Sequence, residues 1–207
     1  MAFIETIAPG AAEGAVEAMY RRQQAAWGYI PNYAKVFSVR PEVLARWGQL
    51  LAEMRRGMDK RRFELVTFVA SVELDNTACA LVHGRALQEF FSEAQVLAIA
   101  EGRYETLSEA EQALVAFARQ TIVDATRTTE DQVAALRRHG YSDGEIFDVA
   151  AVVAGRAYFA KLLDALGTLP DSSLMALDES FRRALTIGRP IDEAACVTME
   201  MPQPFDR

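Results

Sequence analysis

Cysteine is scarce in this chain: only Cys79 and Cys196 occur in 207 residues. They stand far apart and carry no secreted-scaffold spacing, which excludes a disulfide-stapled fold and suits a reducing compartment where a thiol stays free. Basic runs are also missing. With a net charge of −7 and a sequence pI near 5.0, the electrostatic footprint of a phosphate-backbone binder is absent, which argues against nucleic acid as a partner. No apolar run approaches the roughly 20 residues that span a bilayer. The opening "MAFIETIAPG" has no basic stretch ahead of an apolar one, so a soluble, cytoplasmic protein with no membrane partner is expected. The glycines form no phosphate-binding run after a strand, and no flavin, haem or nucleotide signature occurs, so no cofactor is expected.

What is present is helical periodicity. About half the residues (51%) are apolar, enough for one sizeable core or two fused halves. They recur at helical spacing, and no segment alternates as a half-buried strand would, so the fold class is all-α. Four capping boxes mark helix starts: Ser92 with Gln95, Ser108 with Glu111, Thr129 with Gln132, and Ser142 with Glu145. Pro9 and Pro41 suit a first helical turn, and Gly57 and Gly140 follow basic ends as C-caps do. Helices are expected over 10–26, 31–38, 41–56, 60–73, 77–90, 93–101, 109–124, 130–139, 143–167 and 173–186. "IFDVAAVVAG", Ile146 to Gly155, is apolar almost all round and is expected to be a central buried helix.

The halves resemble one another. "FSEAQVLAIA", Phe91 to Ala100, matches "YSDGEIFDVA", Tyr141 to Ala150, and "ELVTFVA", Glu64 to Ala70, resembles "QALVAFA", Gln112 to Ala118. The chain reads as one domain over 1–207 built from two helical units, about 27–101 and 108–167, with a C-terminal helix and tail over 171–207.

Chemistry concentrates in the first unit. Asn76 can cap the helix that follows it, which puts Cys79 in the first turn, where unsatisfied amides and the helix dipole favour a thiolate. His83, four residues on, shares that face and can accept a proton or, once protonated, stabilise the sulfur. An antiparallel turn near Asp75 would bring Glu64 beside His83 to orient the ring. The bland reading stays open, since a cysteine with a histidine at helical spacing also packs well in a core. Cys79, His83 and Glu64 lack a second ligand pair at zinc spacing, so no metal is expected.

The order Glu64, Asn76, Cys79, His83 resembles the catalytic signature of the alkylhydroperoxidase D-like proteins, within the carboxymuconolactone decarboxylase superfamily, where a Glu precedes a C-x-x-C-x-x-x-H segment. "WGYIPNYAKVFSVRPEVLARWGQL", Trp27 to Leu50, and "LSEAEQALVAFARQ" with "LRRHGYSDGEIFDVAAVVAG" resemble the two-unit, peroxidase-related branch. The resemblance implies an all-α homo-oligomer (dimer, trimer or hexamer) that reduces organic or hydrogen peroxides with a thiol. It implies Cys79 as the cysteine that meets the peroxide, His83 as proton relay and Glu64 as its acid. Asn76 stands where the family has its first cysteine, so Cys79 has no C-x-x-C partner. A sulfenic acid normally needs a resolving thiol. An external thiol reductant, Cys196 from the tail, or loss of peroxidase chemistry are the three outcomes.

Two rival functions follow: a decarboxylase-like lyase using His83 for proton transfer without a cysteine, and a non-catalytic helical oligomer. Trp27, Tyr29, Tyr33 and Phe37 could line a pocket above the hairpin or serve as core. Arg156 and Tyr158 interrupt the second unit's apolar run, and a buried Arg156 would need a carboxylate at a subunit contact or a substrate anion. His139 reads as favourable charge at a helix C-terminus.

Overall fold

The computed structural model describes residues 2–193. Among these, every regular element is a helix: α1 (Gly14–Trp27), α2 (Asn32–Val36), α3 (Pro41–Arg55), α4 (Lys60–Glu73), α5 (Thr77–Leu87), α6 (Glu93–Ala100), α7 (Glu109–Asp124), α8 (Glu130–Arg138), α9 (Asp143–Ala165) and α10 (Glu179–Leu185), with short 3-10 turns between. All four capping boxes form, each with the Ser or Thr side chain accepting from the third helical amide and the Glu or Gln reaching back.

Helix α4 is the axis of the molecule. Every residue from Phe63 to Ser71 is buried on it, because α5, α7 and α9 pack around it. Helix α3 lies along α9 with α1 beside it, and α10 covers α5 and α6. The close approach of α10 to α5 runs over Gly84, where an added Cβ would lie 2.9 Å from Phe68 and 3.0 Å from Leu185. At the other end, the amide of Phe3 donates to the carbonyl of Leu166, tying the N-terminal segment to the end of α9.

The two stretches that resemble one another in sequence, Phe91 to Ala100 and Tyr141 to Ala150, begin in similar settings. Ser92 caps α6 and Ser142 caps α9; the preceding rings, Phe91 and Tyr141, are both buried, with Arg61 over the first at 4.2 Å and Arg62 over the second at 4.6 Å.

Four expectations are corrected. Pro9 opens a 3-10 turn, and α1 begins only at Gly14. The expected helix over 173–186 is two pieces, a 3-10 turn Ser172–Ala176 and α10, because the Asp178 carboxylate accepts from the amides of Ser180 and Phe181 and starts a new helix there. The 146–155 stretch is not buried all round: Val149, Val152 and Val153 are in the core, but Phe147 is 71% exposed. Gly57 follows the C-cap Arg56 without a left-handed φ, whereas Gly140 has φ +88° as a helix-terminating glycine should.

Candidate functional site: a thiol, an imidazole and a buried guanidinium around one cavity

The turn between α4 and α5 is tight. Asp75 takes φ 51°, a left-handed conformation that Asp tolerates, and Asn76 then caps α5 with its Oδ1 accepting from the Cys79 amide at 2.9 Å. Cys79 therefore sits in the first turn, as expected. The hairpin runs α4 back along α5 and sets Glu64 against His83, with Glu64 Oε2 2.6 Å from His83 Nδ1. Both are buried, Glu64 at 0% and His83 at 2% exposure. A carboxylate only accepts, so Nδ1 carries the proton and Nε2 holds the lone pair of the neutral ring. Burial pushes the His83 pKa below its ordinary 6.5, against the pull of the Glu64 charge. The ring is thus neutral at neutral pH and suited to accept a proton.

Cys79 and His83 open onto one cavity of about 320 Å³, at the small end for small-molecule sites. Trp27, Tyr29, Tyr33, Trp47 and Phe159 line it, while Arg156, Asp164, Asp171 and Arg189 supply charge. Phe37, for which lining and core were both open, is core and stacks on Phe159 at 6.1 Å. A C-terminal strap closes one side. The Gly188 amide donates to Thr77 Oγ1 at 2.9 Å, Arg189 Nη2 donates to the Asp164 carbonyl at 2.7 Å, and the Asp192 amide donates to the Pro170 carbonyl at 2.9 Å.

The thiolate expectation needs correction. The helix start favours the anion, but burial dominates and pushes the Cys79 thiol above its ordinary range; Arg156 is the charge that pulls it back down, and Asp164 opposes it. The cation acting on the sulfur is Arg156, not His83. Asn76 Nδ2 donates to Asp164 Oδ2 at 2.9 Å, so one of its two amide N–H groups is already used. Asp171, beside Tyr29 and Tyr33, has its carboxyl pushed up to about 6 by burial, although it accepts from the Asn32 amide at 2.7 Å. Of the residues singled out from sequence, Glu64, Asn76, Cys79, His83 and Arg156 come together. Tyr158 is exposed against Trp47, His139 is exposed at the end of α8, and Cys196 lies outside the described residues. Trp47, Asp164, Asp171 and Arg189 were not anticipated as site residues. Asp164, eight residues after Arg156 on an otherwise apolar helix face, carried the one readable signal.

No protein-family model matches the chain, and neither does any curated protein. Solved structures do. An uncharacterized peroxidase-related protein from Ralstonia eutropha JMP134, described as an alkylhydroperoxidase AhpD core, superposes with a TM-score of 0.68 over 91% of this chain and 98% of that one, at 17% identity. The fold is alkylhydroperoxidase D-like. A peroxidase-related protein from Silicibacter sp. TM1040 shares this AhpD-like fold at a TM-score of 0.68, with 17% identity over 87% of this chain and 91% of that one. A cysteine-to-alanine variant of the debrominase Bmp8, in complex with 2,3,4-tribromopyrrole, is also similar, with a TM-score of 0.65 and 16% identity over 89% of this chain and 97% of that one.

Proposed function

We propose that the protein is a thiol-dependent peroxidase acting on organic hydroperoxides, with Cys79 as nucleophile, His83 as proton carrier and Glu64 holding His83. The observation that carries this reading is the buried Glu64–His83 pair at 2.6 Å, whose ring faces the same aromatic-walled cavity as the Cys79 thiol. His83 Nε2 takes the thiol proton, and the sulfur attacks the distal peroxide oxygen. The S–O bond forms as the O–O bond breaks. Sulfur gives up two electrons, and the departing alkoxide takes the proton back from His83 and leaves as an alcohol. An external thiol then attacks the sulfenic acid, releasing water and a mixed disulfide, and a second thiol restores Cys79. Asn76 caps the helix that presents Cys79 and lines the cavity beside it.

The test is steady-state consumption of cumene hydroperoxide with a small thiol. Cys79→Ser is expected to abolish it and His83→Gln to reduce it about 10²-fold or more. Full activity in Cys79→Ser would overturn the reading. A second reading, in which the same thiol takes the halogen of a halogenated aromatic as the carbon–halogen bond breaks, the ring carbon takes the proton from His83, and an external thiol then displaces halide from the sulfur as a disulfide forms, is favoured by the aromatic walls and by the likeness to Bmp8. Halide release from a bromopyrrole in place of peroxide turnover would select it. Retained proton-transfer chemistry without Cys79 would instead point to the decarboxylase-like alternative, and the absence of every one of these activities from the native protein to a non-catalytic oligomer. A homo-oligomer is proposed with the peroxidase, and light scattering counts its chains.

A further inference from the structure

Arg156 projects from the middle of α9 and is 4% exposed, so its guanidinium has lost nearly all its water. Its Nε and Nη2 have no hydrogen-bond partner among the described residues. What touches it is the Phe63 ring, 5.3 Å below its central carbon. A buried cation in that state costs several kcal/mol unless a negative charge compensates it. The nearby carboxylates are shared: the Glu64 charge acts on Arg156 but its Oε2 is on His83, while Asp164 takes Asn76 Nδ2 and lies 3.8 Å from Arg189 Nε. A second guanidinium, that of Arg55, lies 4.7 Å over the same Phe63 ring and adds positive charge. Of the groups that can carry negative charge here, the Cys79 sulfur, which lines the same cavity, acts on Arg156 most strongly, ahead of Glu64.

We propose that Arg156 is the charge partner of Cys79, the residue that holds it as a thiolate on the cavity wall. The inference rests on Cys79 being the site's nucleophile. It explains how a thiol whose burial opposes ionisation becomes reactive, and why an arginine without a carboxylate is tolerated in the second unit. The charged and titratable groups that share the cavity with the sulfur are Arg156 and Asp164 from α9, His83 on its own helix, Arg189 from the strap, and Tyr29, Tyr33 and Asp171. Glu64 from α4 and Arg55 from α3 act on Arg156 from behind, and Arg156 is the cation whose Nε and Nη2 meet no hydrogen-bonding carboxylate among the described residues. In the peroxide reaction the same guanidinium faces the charge as it passes from sulfur to the departing oxygen, so Arg156 is a positioning residue for the thiolate. An anionic substrate would compete with the thiolate for it, which makes the preferred substrate uncharged.

The test is alkylation of Cys79 by iodoacetamide, followed by peptide mass spectrometry from about pH 5 to about pH 11, a range that brackets the ordinary thiol value. Arg156→Met, which keeps bulk and removes charge, is expected to move the alkylation midpoint up by about one pH unit or more and to slow the reaction at neutral pH about tenfold. Arg156→Lys is expected to retain most of the native profile. A Met variant that superposes on native, or Lys and Met variants that shift alike, would overturn the proposal by leaving Arg156 a packing residue. Should the Met variant not fold, Arg156→Gln takes its place. The same upward shift of the alkylation midpoint is expected, and a profile that superposes on native would refute a cation at the sulfur. Neither readout uses peroxide, so a Cys79 inert to peroxide leaves this test standing.

Discussion

Glu64→Gln separates what the buried carboxylate does for stability from what it does for chemistry. The carboxylate is fully buried, its Oε2 is 2.6 Å from His83 Nδ1, and its Oε1 has no hydrogen-bond partner among the described residues. A buried charge facing a neutral ring gains one charge-assisted hydrogen bond, about 1.5–3 kcal/mol, and loses several kcal/mol of hydration. Gln keeps an acceptor for Nδ1–H and removes the charge. The two terms roughly cancel, so unfolding stability should change by no more than about 1 kcal/mol in either direction. Catalysis should not be spared. As Nε2 takes the thiol proton the ring becomes a cation, and without the carboxylate that cation has no compensating charge in a dry site. Peroxide turnover should fall about 10²-fold, or about 2.7 kcal/mol in the barrier. Denaturant unfolding and coupled peroxide consumption on the same preparation give both numbers. A variant that keeps native turnover would refute the relay, and one that loses activity only in proportion to unfolded protein would make Glu64 structural.

Asp171→Asn should stabilise the protein at neutral pH by about 2 kcal/mol, because a carboxyl pushed up to about 6 costs stability once ionised. That gain should vanish as pH falls below the ordinary value of 3.8, and a gain that persists there would contradict it. His83 works in the other direction. Its folded pKa is depressed, so the unfolded chain binds the proton more readily and native stability drops as pH falls through 6.5; His83→Gln should flatten that limb of a pH–stability curve. Gly188→Ala would put a Cβ 1.8 Å from the Asp75 carbonyl, which forces the strap off the α4–α5 turn and breaks the Gly188 bond to Thr77. Faster alkylation of Cys79 by a bulky maleimide, with little change in melting temperature, is the expected result. The chain's two tryptophans, Trp27 and Trp47, both line the cavity, so cumyl alcohol, the uncharged product of cumene hydroperoxide, should quench their fluorescence more strongly than benzoate does. Equal quenching would refute the preference for an uncharged substrate.

Local chemistry was readable where a residue acts on its own neighbourhood. Ser92, Ser108, Thr129 and Ser142 announced their helices because a capping box is completed within four residues, and Asn76 placed Cys79 in its first turn for the same reason. Asp178 could have been read alike, which would have split the last helix correctly. Glu64 was legible through the hairpin expected near Asp75 and through the resemblance, since nothing in its own sequence context distinguishes a buried acid from a surface one. The state of Cys79 was misjudged because a helix start is local while desolvation and the Arg156 charge are set by how α9 packs on the α4–α5 hairpin. The strap residue Arg189 and the rim residue Asp171 reach the cavity from segments more than a hundred residues from Asn32 and Thr77, beyond any pattern in the chain.

The most direct measurement is peptide mass spectrometry of the reduced protein after brief exposure to stoichiometric cumene hydroperoxide at neutral pH with a sulfenic-acid trap present. The account expects rapid trapping at Cys79, slowed in Glu64→Gln and absent in Cys79→Ser. A Cys79 that stays reduced and untrapped while the peroxide persists would contradict it.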